Sequence, residues 1–222
     1  GRYSYEESVK EKKGWHTDDF GEKPVAIIQM NIEFEDGSSV SIYSDENWKT
    51  SSGPIQFNGI YDGEIYDARE EKSDWTLSGY DDSKWNKVEI CSNPPQGKLV
   101  SQTTLPPVKV NKTISPKEMT SPEPGVYIYD FKQNFTGWIK LKGIEEGKEG
   151  QKVTIRYAEM LNDEGRLNTI PNRKAKATDE YIFKGKGEEV YEPRFTYHGF
   201  RYVEISGYPG TPSLEIIEGK VV

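Results

Sequence analysis

The chain has 222 residues, enough for one large all-β domain or two small ones. Acidic residues outnumber basic ones by 37 to 29, and the net charge of −8 opposes phosphate binding over a broad surface, which argues against nucleic acid as a partner. One cysteine, Cys91, excludes an internal disulfide; with only two histidines a structural zinc site is poorly supplied, and no apolar run is long enough to span a membrane.

The first residues, "GRYSYEESVKEKKGW", lack Met, an apolar run and a cleavage site. The expectation is a piece of a longer chain without a signal peptide. His16 follows, read as a surface residue. "AIIQMNIEF" then alternates, with Ile28, Met30, Ile32 and Phe34 on one face and Gln29, Asn31 and Glu33 on the other. Asp36-Gly37 is a hairpin turn signal and "SVSIY" returns, so residues 25–43 predict a hairpin. Later, "VYIYDF", "WIKLK", "KVTIRYAEML", "DEYIFKG" and "FRYVEISG" read as short strands separated by turns such as "EEGKEG" and "NDEGRL". "DDSKW" and "KEMTS" make single turns at most, and no long stretch has a helical period. The fold class expected is all-β: a β-sandwich or jelly roll, in two consecutive antiparallel β-domains. The boundary falls in a proline-rich zone, Asn93–Pro124, which holds seven of the 13 prolines. A cut near residue 105 gives domains 1–105 and 106–222. The 14 Tyr, 8 Phe and 5 Trp can fill a thin core, and they hint at carbohydrate handling, because a ring face stacks on a sugar's C–H face.

The stretch with most chemistry is "GIYDGEIYDAR", which gathers Asp62, Glu64, Asp67 and Arg69 around Tyr61 and Tyr66. In extended backbone Asp62, Glu64 and Tyr66 share a face; a turn at Asp62-Gly63 breaks that parity. Three readings stay open: ion pairing with Arg69, recognition of sugar hydroxyls, and a calcium ion held by Asp62, Glu64 and Asp67 through hard oxygens, although the spacing is not that of an EF-hand loop. Trp48 and Trp75 complete a carbohydrate-binding set with Tyr61, Asp62, Glu64, Asp67 and Arg69. Glycoside hydrolysis needs two carboxyl groups flanking the scissile bond, and nothing marks two of the many carboxylates as such a pair. Asp130, Glu159 and Asp179, in or beside strands, are expected to satisfy backbone or Arg groups. No nucleophile elbow, phosphate loop, dinucleotide fingerprint or zinc-protease motif occurs. The two N-x-T triplets, at Asn111 and Asn134, read as chance.

"YEPRFTYHGFRYVEI", Tyr191–Ile205, is dense in aromatic and basic residues. Gly199 permits a bend or bulge that turns Tyr197 and Phe200 inward, so the segment reads mainly as sheet core. The other reading is that Arg194, Tyr197, His198 and Arg201 line a contact with another domain or a ligand.

Several of these motifs together resemble a known family. "SDENWKTSSGPIQFNGIYDGEIYDAR" with "YDDSKW" resembles the amino-terminal β-domain of bacterial α-L-rhamnosidases. "GVYIYDFKQNFTGWIKLKG", "VTIRYAEMLNDEGRLN" and "ATDEYIFKGKGEEVYEPRFTYHGFRYVEISG" resemble the family's next, concanavalin-like β-domain. The resemblance runs in order from about Phe20 to the end. It implies large multidomain enzymes that remove terminal α-L-rhamnose with inversion, using carboxylates of an (α/α)6 barrel that follows these domains. The chain shows no helical repeat, so the resemblance implies an accessory, non-catalytic scaffold. The alternative it implies is a carbohydrate-binding module for L-rhamnose, assisted by calcium and centred on "YDGEIYDAR". The implied partners are rhamnose-containing glycans and the catalytic barrel of the same protein, with no nucleic acid and no membrane. An extracytoplasmic location is the expectation, with a cytoplasmic one open. Two departures stand out: Lys132 replaces the family's Gly in "DFKQN", so that turn is expected to differ, and the first domain lacks early strands.

Overall fold

The computed structural model describes residues 25–222 apart from 93, 95, 96, 104 and 146. His16 lies outside the described residues. Within them the strands are β1 (Gln29–Glu33), β2 (Ser39–Tyr43), β3 (Lys49–Thr50), β4 (Ile55–Gly59), β5 (Gly63–Asp67), β6 (Asn86–Lys87), β7 (Lys112–Ile114) and β8 (Glu118–Glu123). They continue with β9 (Val126–Ile144), β10 (Lys152–Ala158), β11 (Met160–Leu161), β12 (Leu167–Asn168), β13 (Thr178–Ile182), β14 (Glu189–Tyr191), β15 (His198–Ser206) and β16 (Ile217–Val221). No α-helix occurs among the described residues, as the missing helical period implies. "KEMTS" is not an isolated turn: it forms most of β8, paired with β9.

The chain forms two compact units. One is made of the described parts of His16–Ser52 and Lys72–Pro106. It contains the expected hairpin, β1 against β2, with Met30 opposite Ile42 and Ile32 opposite Val40. Asp36 shapes the turn by accepting from Ser38 N at 2.9 Å. The apolar face follows the predicted alternation, yet Ile28, Met30, Phe34, Val40 and Ile42 are all exposed. β3 and β6 form a second small ladder.

The other unit joins Gly53–Glu71 to Pro107–Val222. One segment therefore lies across the boundary expected near residue 105. The reason is hydrogen bonding. β5 runs parallel to β13, with Tyr66 opposite Tyr181, and antiparallel to β4, so this early hairpin extends the later sheet. The strand path is β4-β5-β13-β10-β15-β9-β16-β7, with β8 and β14 also on β9. The 19-residue β9 makes the sandwich possible. Its first part pairs with β15 and β8, and its later part with β16 and β14. Between Asp130 and Phe135 the strand departs from the β15 ladder, and Lys132 in that stretch adopts φ +59. A non-Gly residue meets a cost of roughly 1–2 kcal/mol there, offset because Lys132 N and Asp130 Oδ1 bond at 2.6 Å and Nζ lies 2.6 Å from Glu118 Oε2.

The core between the layers is written in aromatics. Phe135 and Phe200 lie 4.3 Å apart, Tyr157 and Phe200 4.8 Å, and Tyr181 and Tyr191 5.0 Å. Burying one such side chain stabilises by roughly 1.5–3 kcal/mol. The bulge expected at Gly199 is not there: Gly199 pairs in regular register with Thr136, and the irregularity falls between Phe200 and Tyr202, where β9 carries the extra residues; Phe200 turns inward, but Tyr197 is exposed.

Gly63 begins β5 at φ +111, and a Cβ there would sit 1.9 Å from the Thr178 carbonyl oxygen. Close approach of β5 to β13 needs a residue without a side chain. Gly63→Ala is expected to destabilise this unit by roughly 3 kcal/mol or more, combining backbone strain and overpacking. A urea unfolding midpoint equal to wild type would refute the role given to this glycine.

Candidate functional site

The β4–β5 hairpin carries most of the predicted site. Its turn places Asp62 before the strand, so Glu64 and Tyr66, not Asp62, follow the alternation of β5. Tyr61 and Asp62 carbonyls accept from Ala177 N and Thr178 N at 3.0 and 2.9 Å, pinning the turn to the start of β13. β13 alternates too: Asp179 and Tyr181 point inward, and both are buried.

Glu64 and Asp179 meet here, each 0% exposed. Asp179 Oδ1 accepts from Glu64 N at 2.9 Å, and its Oδ2 accepts from the Tyr157 hydroxyl at 2.6 Å. His198 Nε2 lies 3.4 Å from Asp179 Oδ1, with its ring stacked on Tyr157 at 4.2 Å. Glu64 accepts from the Tyr191 hydroxyl and from Arg194 N, each at 3.2 Å. Burial, with the nearby charge of Asp179, pushes the Glu64 carboxyl above its usual range, against the hydrogen bonds from Arg194 and Tyr191. Burial above all raises the hydroxyls of Tyr157 and Tyr191, with Asp179 adding to both. Asp62 accepts from Lys176 N at 3.4 Å through Oδ1, while its Oδ2 is a buried atom without a hydrogen-bond partner.

The calcium set dissolves in this geometry. Among the described residues no three His, Cys, Asp or Glu side chains gather as they would around a metal ion. Asp62, Glu64 and Asp67 have separate surroundings. Asp67 belongs to Arg69, which grips it through Nε at 2.9 Å and NH2 at 2.7 Å and holds its carboxyl below the usual range. This is the ion-pairing reading of the motif. The carbohydrate set is also divided. Tyr61 through Arg69 belong to one unit and Trp48 and Trp75 to the other. Trp48 is half-buried, with Nε1 donating to the Tyr43 carbonyl at 3.1 Å. Trp75 is exposed, its ring 6.3 Å from that of Trp85.

The four residues read as a contact surface separate in the same way. His198 is buried in the network just described, and Arg201 pairs through two bonds with Asp130, at 2.8 and 2.9 Å. Arg194 and Tyr197 are exposed, and so is Phe195 between them, which the sequence argument passed over. Thr196 is buried, donating to the Gly59 carbonyl at 2.9 Å. Alternation within Arg194–His198 thus shows aromatic rings outward from a firmly held backbone. Asp179 was expected to serve a backbone or Arg group; it takes a backbone N–H, a tyrosine and a histidine. Its signal was present: an Asp at a core-facing position of an alternating strand needs buried donors.

Chemically, Glu64 and Asp179 cannot flank a glycosidic bond, because neither reaches solvent. The fold and site define a β-sandwich module whose central carboxylates serve the core. The α-L-rhamnosidase N-terminal domain model matches residues 1–112, and that of the bacterial α-L-rhamnosidase concanavalin-like domain matches residues 120–222. The chain belongs to the bacterial α-L-rhamnosidase family. It is 42% identical over 203 residues to an α-L-rhamnosidase of Streptomyces avermitilis, covering 91% of this chain and 19% of that protein. An α-L-rhamnosidase of Formosa agariphila is 37% identical over 205 residues, covering 90% and 21%. Among solved structures, that of the α-L-rhamnosidase from Dictyoglumus thermophilum superposes with a TM-score of 0.83 at 56% identity, covering 88% of this chain and 22% of that one. The Streptomyces avermitilis enzyme complexed with L-rhamnose gives 0.83 at 41% identity, covering 91% and 19%. The chain thus spans about a fifth of the length of these relatives.

The Asp130–Arg201 pair predicts an acid response. Arg201 above all holds the Asp130 carboxyl down at about 2, below its ordinary 3.8. A depressed carboxyl contributes stability that is complete above 3.8 and lost as pH falls through about 2. The urea midpoint of wild type is therefore expected to fall more steeply between these values than that of Asp130→Asn. Parallel curves would show that the pair contributes nothing.

Proposed function

We propose that this chain is the accessory β-sandwich region of an α-L-rhamnosidase, a scaffold for a catalytic portion that removes terminal α-L-rhamnose from glycans, and not a hydrolase by itself. The observation that carries this reading is the burial of Glu64 and Asp179, which gives the brought-together carboxylates to tyrosines and backbone and leaves them no access to a substrate. The relatives named α-L-rhamnosidase, of which this chain spans about a fifth, support the enzyme class. The isolated chain is expected to give no turnover of an aryl α-L-rhamnoside; hydrolysis that scales with the chain's concentration, whether or not Glu64→Gln and Asp179→Asn abolish it, would overturn the scaffold reading.

A carbohydrate-binding role is the second reading, favoured by one feature, the exposed ring of Trp75 backed by Trp85. Calorimetric titration with L-rhamnose separates the two: saturable heat lost in Trp75→Ala establishes a binding module, and no heat leaves the scaffold.

As scaffold, the chain offers Arg194, Phe195 and Tyr197 as the contact for the rest of the enzyme. Their exposure on a backbone held by Thr196 and His198 supports this placement. Phe195→Ser with Tyr197→Ser is expected to lower the thermal midpoint of the full-length enzyme by several degrees while leaving that of this chain alone within about 1 °C. Equal effects on both would deny the contact.

A further inference from the structure

We propose that the apolar face of the β1–β2 hairpin is one half of a core, and that the other half, a sheet layer with an apolar inner face and a basic rim, comes from the portion of the enzyme outside these 222 residues. The observation that carries this is a unit without an interior. Among the described residues of His16–Ser52 and Lys72–Pro106 not one is buried, whereas every buried apolar side chain found among the described residues belongs to the other unit. A two-stranded hairpin is marginal in water unless further strands or a packed layer cover its apolar side.

The hairpin is patterned to be covered on one side only. Met30 stands opposite Ile42 and Ile32 opposite Val40, and alternation puts Ile28 and Phe34 on the same face. Ile32 is half-buried and the other five are exposed. The opposite face needs no cover: Asn31 Oδ1 accepts from Gln29 Nε2 at 3.1 Å and from Ser41 Oγ at 2.9 Å, so its polar groups satisfy one another in water. A strip of aliphatic side chains and one phenyl ring, with the polar groups turned away, suits protein and not sugar, because a sugar's hydroxyls would find no partner on it.

Charge selects among apolar occupants. Residues 25–47 hold five acids, Glu33, Glu35, Asp36, Asp45 and Glu46, and no lysine, arginine or histidine. Asp36 and Asp45 shape the two ends, accepting from Ser38 N and Asn47 N, each at 2.9 Å. An anionic lipid surface is repelled by that rim. A second copy would bring five more acids against the first five, and like charges across a contact oppose it. A protein layer with lysines or arginines around its apolar residues is attracted. The chain spans about a fifth of its relatives, so an enzyme of their kind has further polypeptide to supply such a layer. The inference rests on the reading of this chain as one region of that enzyme.

A diazirine analogue of methionine incorporated at Met30 of the full-length enzyme tests the occupant. After illumination and peptide mapping, the cross-link is expected in a segment of the same polypeptide outside residues 1–222, with alternating apolar residues and lysine or arginine beside them. A cross-link to a second copy or within residues 1–222, no cross-link, or a cross-linked segment without a basic residue overturns the proposal. Hydrogen exchange reads the cover itself. The amides of β1 and β2 are expected to exchange at least about 100-fold more slowly in the full-length enzyme than in this chain alone, and equal rates overturn the proposal. Glu35→Lys with Glu46→Lys is expected to speed that exchange roughly tenfold in the full-length enzyme and to leave it unchanged in this chain alone. No change in the full-length enzyme overturns the basic rim. Turnover is a separate readout: hydrolysis by this chain alone sinks the scaffold reading and leaves a Met30 cross-link outside residues 1–222 standing.

Discussion

The structure depends on how buried tyrosines dispose of their hydroxyls. A phenol ring fills a sandwich core as well as phenylalanine does, but its oxygen must find a partner or cost about 1–3 kcal/mol. Here the partners are mostly carboxylates delivered from other strands. Tyr157 donates to Asp179, Tyr191 to Glu64 and Tyr181 to Glu189 at 2.7 Å, while Tyr66 reaches Glu71 at 3.0 Å. Glu189 in turn accepts from Lys184 N and Gly185 N, closing the turn before β14. Acidic residues that look like solvated surface in the composition are therefore part of the interior.

This requirement explains why the early segment Gly53–Glu71 sits in the later sheet. β5 supplies Glu64 to Tyr191 and takes Asp179 onto its own N–H, while Tyr66 stacks on Tyr181 at 5.7 Å. Each exchange crosses more than a hundred residues of sequence. Long-range pairing of this kind is slow to form and, once formed, fixes register through polar geometry as well as apolar fit. A cut at the proline-rich zone divides the chain where its backbone is extended, but the hydrogen bonds of β5 do not follow it.

Much of the fold was legible because period two survives in the strands. The β1–β2 hairpin alternates in sequence, with Asp36-Gly37 marking its turn, and β10 and β13 alternate in burial, whereas β15 loses the period at the shift between Phe200 and Tyr202, so that Phe200, Val203 and Ile205 all enter the core. β4 and β5 were not legible as sheet. "GIYDGEIYD" carries glycine and carboxylates where a strand ordinarily has β-branched residues, because its inward positions answer tyrosine hydroxyls instead of aliphatic side chains. The same local bias suggested a cation site. Nothing in the spacing of Asp62, Glu64 and Asp67 reveals that Arg69, Tyr191 and Lys176 N will each claim one of them. Lys132 shows the opposite limit: a residue-type argument disfavours a left-handed φ there, and Lys132 adopts it with its backbone N bonded to Asp130 and its Nζ to Glu118.

A core stitched by carboxylates has a consequence for chemistry. An acid that accepts from a buried hydroxyl or backbone N–H is held in one orientation and shielded from water, whereas a glycosidase acid must meet both a sugar oxygen and solvent. The two uses of a carboxylate exclude each other at one position. In this chain Glu64, Asp179 and Glu189 are committed to the interior, and Asp67 and Asp130 to arginines. What the network leaves available is its outer side, where the alternation of Arg194–His198 presses Thr196 and His198 inward and presents Phe195 and Tyr197 to whatever lies outside. That presentation is held by the same kind of buried polar bond that commits Glu64 and Asp179 to the interior.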